Sequence, residues 1–447
     1  MGVLSTTPTS SILKSGSSPR TKDPFAAAFF WLSAFFVVYC ARPEDWIPGL
    51  RYLPLAKITG LFALIGFLSS MKKSKTRLRD LPQESRYLLA MMGLLVLSGF
   101  FSPVWRGGAV LRAIDFSKLY LAWVLVVLVV NSFEKLRRLI FVQSASVVVI
   151  SALSVLKGGN RLRLQGVVGG IYSNPNDLAF AIVLSLPFCL AFMVSTKSIF
   201  RKLFWLSGML GMLVALFLTA SRAGLINLVI SGVVCLWHFG VKGKRLGLIV
   251  AAGLVGTVLM ITLGGKVQAR FEAMSGEAPN VMGAYGSYEA RKALIGKAIE
   301  AIERYPILGI GQWNMVTYDG YWVEVHVSYL QIAAEGGIPV LILYLLFFAS
   351  GFRNLRLVRR MRSLDVNLKA FAAAMHTSLV GFCVGALFAP EAYHFFPYFA
   401  VAYSAALLII ATNQGDAAAP DTLRRLRSPR NLNLYGTYGR SDTVAVK

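Results

Sequence analysis

Apolar residues in this chain come in long runs, separated by polar connections. Twelve such runs fall near 25–41, 53–71, 87–105, 117–133, 138–157, 178–196, 203–220, 225–241, 246–264, 328–350, 371–389 and 395–412. Each approaches the length that crosses a bilayer as a helix. Backbone polar groups in lipid must be satisfied within their own segment, so the spans are expected to be helices. The pattern predicts an all-α integral membrane protein of about 12 transmembrane helices. The first run starts only at Phe25, after a polar Ser/Thr-rich stretch. It reads as a retained membrane helix rather than a cleaved leader.

The connections divide into two kinds. One set holds "KKSKTRLRD" (72–80), "EKLRR" (134–138), "KSIFRK" (197–202), "KGKR" (242–245), "RNLRLVRRMR" (353–362) and both tails, and it carries 30 of the 46 Lys and Arg residues. This set alternates with the other along all twelve runs. The positive-inside rule then predicts both termini in the cytoplasm. Residues 1–24 and 413–447 are expected to be disordered cytoplasmic tails flanking a membrane domain, 25–412. At 56% hydrophobic and 15% charged, the composition fits no soluble multidomain protein. The net charge of +25 reads as topology and contact with anionic lipid, and nucleic acid is not an expected partner. The four cysteines, Cys40, Cys189, Cys235 and Cys383, sit inside apolar runs without CxxC spacing. They are expected to be buried small hydrophobes.

The other face holds "RPEDWIPGLR" (42–51), "RGGAVLRAIDF" (106–116), "GGNRLRLQGVVGGIYSNPND" (158–177), the turn Ser221-Arg222-Ala223-Gly224, a long loop near 265–327 and "PEAYHF" (390–395). A loop as long as 265–327 is usually functional or disordered. Within it Ser287 is expected to cap a helix running to about Tyr305. That helix places Arg291, Ile295, Ala298 and Ile302 on one face and Lys297, Glu300 and Arg304 on another. Arg291 therefore points with the apolar stripe.

Arg222 stands on the side that the positive-inside rule disfavours. It either snorkels to lipid headgroups or binds an anion at the membrane surface, where a planar guanidinium grips phosphate with two parallel bonds. His326 joins the long outer loop to a membrane helix. A neutral imidazole there suits a general base, or it only hydrogen-bonds the loop backbone. His238 and His376 lie in apolar runs as packing residues, and His394 follows a short outer turn. Glu335 is out of phase with His326 on its helix, and a structural pairing with a cation or helix end is expected. Arg161, Arg163, four glycines, Asn174 and Asn176 precede another helix; Asn176 and Asp177 read as caps. No metal-ligand spacing, P-loop or GxGxxG occurs, so neither metal nor cofactor is expected.

Four stretches resemble the O-antigen ligase/polymerase superfamily. They are "LFLTASRAGLINLVI", "RKALIGKAIEAIERYPILGIGQWNM", "HVSYLQIAAEGGIPVLI" and "GVVGGIYSNPNDLAFAI", in matching order along about 160–345. One departure is Val327, where the family often has Asn. The resemblance implies a bacterial inner-membrane glycosyltransferase that needs no metal. It would take a glycan from undecaprenyl pyrophosphate at the periplasmic face and pass it to lipid A–core, another repeat unit or a protein, inverting the anomeric centre. It assigns His326 as general base and Arg222, Arg291 and Arg163 to the donor pyrophosphate. Arg163 is preferred to Arg161 for its spacing from the Gly-rich stretch. An exopolysaccharide or O-antigen polymerase, a lipid-linked glycan flippase and a membrane scaffold remain alternatives. The enzyme readings require Arg222, Arg291 and His326 to converge.

Overall fold

The computed structural model describes residues 23–71, 81–158, 163–166, 172, 174–272, 284–318, 320, 324–361 and 364–417. Both expected tails lie largely outside these residues, as do "KKSKTRLRD" and Arg161. Among the described residues every regular element is helical. Thirteen helices longer than one turn are α1 (Ala26–Ala41), α2 (Leu55–Met71), α3 (Gln83–Phe100), α4 (Arg106–Val129), α5 (Phe133–Gly158), α6 (Pro175–Ser195), α7 (Ile199–Leu218), α8 (Arg222–Leu236), α9 (Gly247–Glu272), α10 (Ala284–Arg304), α11 (Ser328–Arg360), α12 (Val366–Gly385) and α13 (Phe395–Ala417).

A helix occupies each of the twelve predicted runs, and α10 lies in the long loop. Eight are long and apolar enough to cross a membrane: α5 to α9, with α8 continued by the π turn to Val241, and α11 to α13. The apolar helices α1 and α2 are shorter, with 16 and 17 residues. α3 carries Glu84 and Arg86 in its first turn. α4 begins at Arg106 rather than near 117 and absorbs the predicted "RGGAVLRAIDF" connection. Arg112, Asp115 and Lys118 interrupt its hydropathy but are compatible with a helix. α11 likewise absorbs "RNLRLVRR" as a helical extension.

Hydrogen bonds tie the helix ends into two opposite layers. At one end Glu84 accepts from Asn354 Nδ2 at 2.8 Å, Gln83 accepts from Arg353 at 3.2 Å, and Lys135 pairs with Asp23 at 2.6 Å. At the other, Tyr39 OH accepts from Phe395 N at 3.1 Å and Ser328 Oγ donates to Ala389 O at 2.7 Å. α6 and α13 are the most enclosed spans, with 78% of their apolar windows buried, whereas α9 has 11% and forms the periphery.

One helix is broken on purpose of its sequence. Pro339 has no N–H, so the Glu335 carbonyl loses its helical donor. Gly337 adopts φ 83°, ψ 172° and interrupts α11. Three of the groups at the break are taken up by the "P-x-x-G-x-G" loop, residues 306–311, and by α3. Ile338 N donates to Pro306 O at 2.8 Å, and Ala334 O accepts from Ile310 N at 2.9 Å. Glu335 O accepts from Gly311 N at 2.9 Å and Ser98 Oγ at 2.8 Å. A Cβ on Gly337 would stand 2.2 Å from Ile307 O, so only glycine fits this approach. The loop and the first two turns of α11 are thereby one unit.

Candidate functional site at the helix ends

The Arg222 turn is built by caps. Ser221 Oγ accepts from Gly224 N at 3.0 Å and so caps α8, and it donates to Asn176 Oδ1 at 2.7 Å. Asn174 Oδ1 accepts from Asn176 N at 3.0 Å and caps α6. The cap on that helix is therefore Asn174 and neither Asn176 nor Asp177, which the sequence suggested; Asn176 instead joins the two helix starts. Gly224 permits their close approach, since an added Cβ would lie 2.6 Å from Ala179 Cβ. Two helix N-termini, each with unsatisfied N–H groups and a positive dipole end, point the same way beside Arg222.

Arg163 reaches this turn from the 158–177 connection. Its Nε donates to Thr219 O at 3.2 Å, and Leu164 N donates to Leu218 O at 2.9 Å. Arg222, the first residue of α8, is half-buried. Arg291 comes from α10. The buried stripe of that helix is Leu294, Ala298 and Ala301, with Arg291 half-buried in line with it; Ile295 is more exposed than the predicted face requires. Ala298, Ala301, Ile310, Met315, Val325 and Ala334 form a small separate core that clamps α10 to the loop and to the start of α11. α10 starts at Ala284, so Ser287 is not its cap, and the Ser287 side chain lies outside the described residues.

The charges of these residues feel one another. Burial pushes the Arg291 guanidinium below its ordinary value, and Arg222 adds to the push. Arg291 Nε is buried with no hydrogen-bond partner among the described residues. Burial, then the Arg291 charge, lower His326, against a hydrogen bond to the Glu324 backbone that favours protonation. Arg291 is thus coupled electrostatically to both Arg222 and His326, and Arg163 joins the turn that carries Arg222. The four residues singled out in the sequence converge at one end of the bundle.

His326 Nδ1 lies 2.8 Å from Glu324 O. A carbonyl oxygen only accepts, so Nδ1 carries the proton. The neutral ring then presents the Nε2 lone pair.

Sequence reasoning missed a second group. The "PEAYHF" turn packs on the start of α11: Ser328 N donates to Ala386 O at 2.8 Å, and Ser328 Oγ accepts from Glu391 N at 2.9 Å. There Glu391 Oε2 pairs with His394 Nδ1 at 2.5 Å. Burial alone would lower His394, but Glu391, with Asp177 and Glu324 further off, raises it to about 9. Burial raises the Glu324 carboxyl, with His394 and Arg112 opposing and Glu391 adding to the rise. Arg112 lies 4.6 Å over the Trp313 ring. Among the described residues Glu335 has no cation partner; its Oε2 accepts from Tyr393 OH at 2.7 Å, which makes it a structural tie between α11 and the same turn. His238 and His376 lie far along their helices, paired at 3.3 Å. The four cysteines are free, Cys40 and Cys189 fully buried. Among the described residues no three His, Cys, Asp or Glu side chains are grouped to hold a metal ion.

These features define a polytopic α-helical membrane protein with a cluster of arginines and a histidine at one layer of helix ends. Residues 206–345 match the family described as O-Antigen ligase. The match is to the O-antigen ligase/polymerase superfamily that the sequence resembles, and its segment contains Arg222, Arg291 and His326. No curated protein matches the chain.

Proposed function

We propose that this protein is a glycosyltransferase of the O-antigen ligase type, which moves a glycan from undecaprenyl pyrophosphate to an acceptor hydroxyl at the periplasmic face. Arg222 and Arg291, with Arg163 beside them, bind the pyrophosphate; two helix N-termini add to the positive field. His326 Nε2 takes the proton of the acceptor hydroxyl as its oxygen attacks the anomeric carbon. The bond from that carbon to the pyrophosphate oxygen breaks, and the lipid pyrophosphate leaves with both electrons. Direct displacement inverts the centre. Guanidinium groups stabilise the charge developing on the leaving group, so no metal is called for.

The observation that supports this reading is the coupling of Arg291 both to Arg222 and to His326, beside the Arg163 bond to the Arg222 turn. Leaving-group stabiliser and base then belong to one site, with the anomeric carbon between them, as an in-line displacement needs. A flippase is less well supported. Its substrate path calls for broken helices in paired halves that line a cavity, whereas the break at Gly337 has its freed groups taken by protein. Twelve spans, cytoplasmic termini and a periplasmic 265–327 segment are part of the same proposal, and the hydrogen-bonded layers of helix ends agree with the alternation of charge.

The test is reconstitution of the purified full chain with a synthetic undecaprenyl-pyrophosphate glycan and, separately, lipid A–core and a repeat-unit acceptor. Product analysis by mass spectrometry and NMR reads the acceptor used and the anomeric configuration. Inverted product on lipid A–core supports a ligase, and on the repeat unit a polymerase. Retained configuration contradicts the displacement, and transmembrane movement of the donor without transfer contradicts the enzyme reading.

A further inference from the structure

At the layer opposite the Arg222 turn, the starts of α5 and α7 and the end of α6 enclose an open cleft of about 700 Å³. α7 begins at this cleft and ends 20 residues later beside Arg222. At about 1.5 Å per residue that is roughly 30 Å, the thickness of a bilayer's hydrocarbon core. The cleft and the glycosyl-transfer site therefore belong to opposite membrane surfaces, and the transfer chemistry does not use the cleft.

Three arginines line it: Arg137 and Arg138 in the first turns of α5 and Arg201 in the first turn of α7; Glu134 is the one acidic residue of the lining. Arg137 is half-buried and held by ring faces, its guanidinium 5.6 Å over Phe192 and 6.0 Å from Phe371. Phe192 in turn stacks on Trp205 at 4.8 Å, and Phe141 meets the same indole edge-on at 5.6 Å. This aromatic base fixes a cation without neutralising it. Two helix N-termini open at the same place and add to the positive field. Three guanidiniums beside a single carboxylate repel one another unless an anion sits among them, and phosphate fits their planar donor pairs.

The walls say what carries that phosphate. Phe200 is 81% and Phe204 50% exposed, and both line the cleft. Aromatic walls at a basic rim suit an acyl chain and offer nothing to a free ion. By the charge rule this surface is the cytoplasmic one, whose leaflet is rich in anionic lipid. We propose that the cleft seats one anionic phospholipid, its phosphate among Arg137, Arg138 and Arg201 and an acyl chain along Phe141, Phe200 and Phe204. The inference rests on the proposed orientation and not on the transfer chemistry.

Native mass spectrometry of the purified full chain, titrated with dioleoyl phosphatidylglycerol or dioleoyl phosphatidylcholine, tests it. The wild type should retain the anionic lipid at least about tenfold more tightly, since each basic residue near a phosphate contributes of order fivefold. Arg138→Gln with Arg201→Gln changes two exposed side chains and should cost roughly fivefold for each. Phe200→Ser leaves the charge intact and should also weaken phosphatidylglycerol binding. Inorganic phosphate at millimolar concentration should not displace the lipid. Equal binding of the two lipids overturns the proposal, as does wild-type affinity in both variants. Displacement by inorganic phosphate makes the cleft a site for a free anion and also overturns it.

Discussion

His326 donates its Nδ1–H to the Glu324 carbonyl oxygen at 2.8 Å, and this leaves Nε2 as the ring nitrogen with a lone pair to offer. The ring is also held below its ordinary value of 6.5, by burial first and by Arg291 second. A depressed histidine stays neutral as pH falls and loses its lone pair only below that value. Transfer rate should therefore be level from neutral pH down to about 6.5 and fall only at lower pH. Arg291→Gln removes the repelling charge, so the acid limb of its residual activity should move up. A pH–rate profile on both proteins checks this, and an unmoved limb contradicts the coupling.

Arg222→Ala and Arg291→Ala should each lower transfer by roughly 10²–10³-fold, the scale of removing one donor to a developing oxyanion. Lysine at either position should restore little, because an ammonium cannot make the paired bonds of a guanidinium. Both proteins should still insert in the membrane. Steady-state assays in vesicles, normalised to inserted protein, measure the loss; full activity in both alanine variants removes the pair from the site.

The His394–Glu391 pair makes stability depend on pH with a definite sign. His394 is raised from 6.5 to about 9, so its contribution is complete below pH 6.5 and is lost as pH rises through about 9. Thermal unfolding of the wild type should show a falling Tm across that window. Glu391→Gln should flatten this dependence. The His394 side chain is 31% exposed, and solvent screening makes the effect modest.

How much of this was legible beforehand follows from range along the chain. Long apolar runs announce helices because lipid leaves the backbone no other choice. Arg291 on a buried stripe and Ser221 before Arg222 are local patterns within a turn or two of helix. The bond from Ser221 to Asn176 spans 45 positions and has no local signature. Glu391 and His394 read as an ordinary turn because their surroundings come from Ser328, 63 positions earlier in the chain than Glu391. The early start of α4 was hidden for a different reason: Arg112, Asp115 and Lys118 break a hydropathy run without breaking a helix. The break at Gly337 was not read from the sequence, where 328–350 is one apolar run, and the loop that fills it is a tertiary partner.

Topology is open to direct labelling. In a background with the four native cysteines replaced by alanine, Gly320→Cys should react with a membrane-impermeant maleimide added from the periplasm. Arg360→Cys, at the last turn of α11, should be protected until the membrane is opened. The reverse pattern inverts the orientation and moves the proposed site to the cytoplasm.

The central claim is that His326 carries the proton in transfer. Single-turnover transfer from undecaprenyl-pyrophosphate glycan by His326→Ala, measured beside donor binding on the same preparation, tests it most directly. The account predicts donor binding close to wild type with transfer slowed by roughly 10²–10⁴-fold, the range of a lost general base. Near-normal transfer by His326→Ala would contradict it and return His326 to a loop-ordering role.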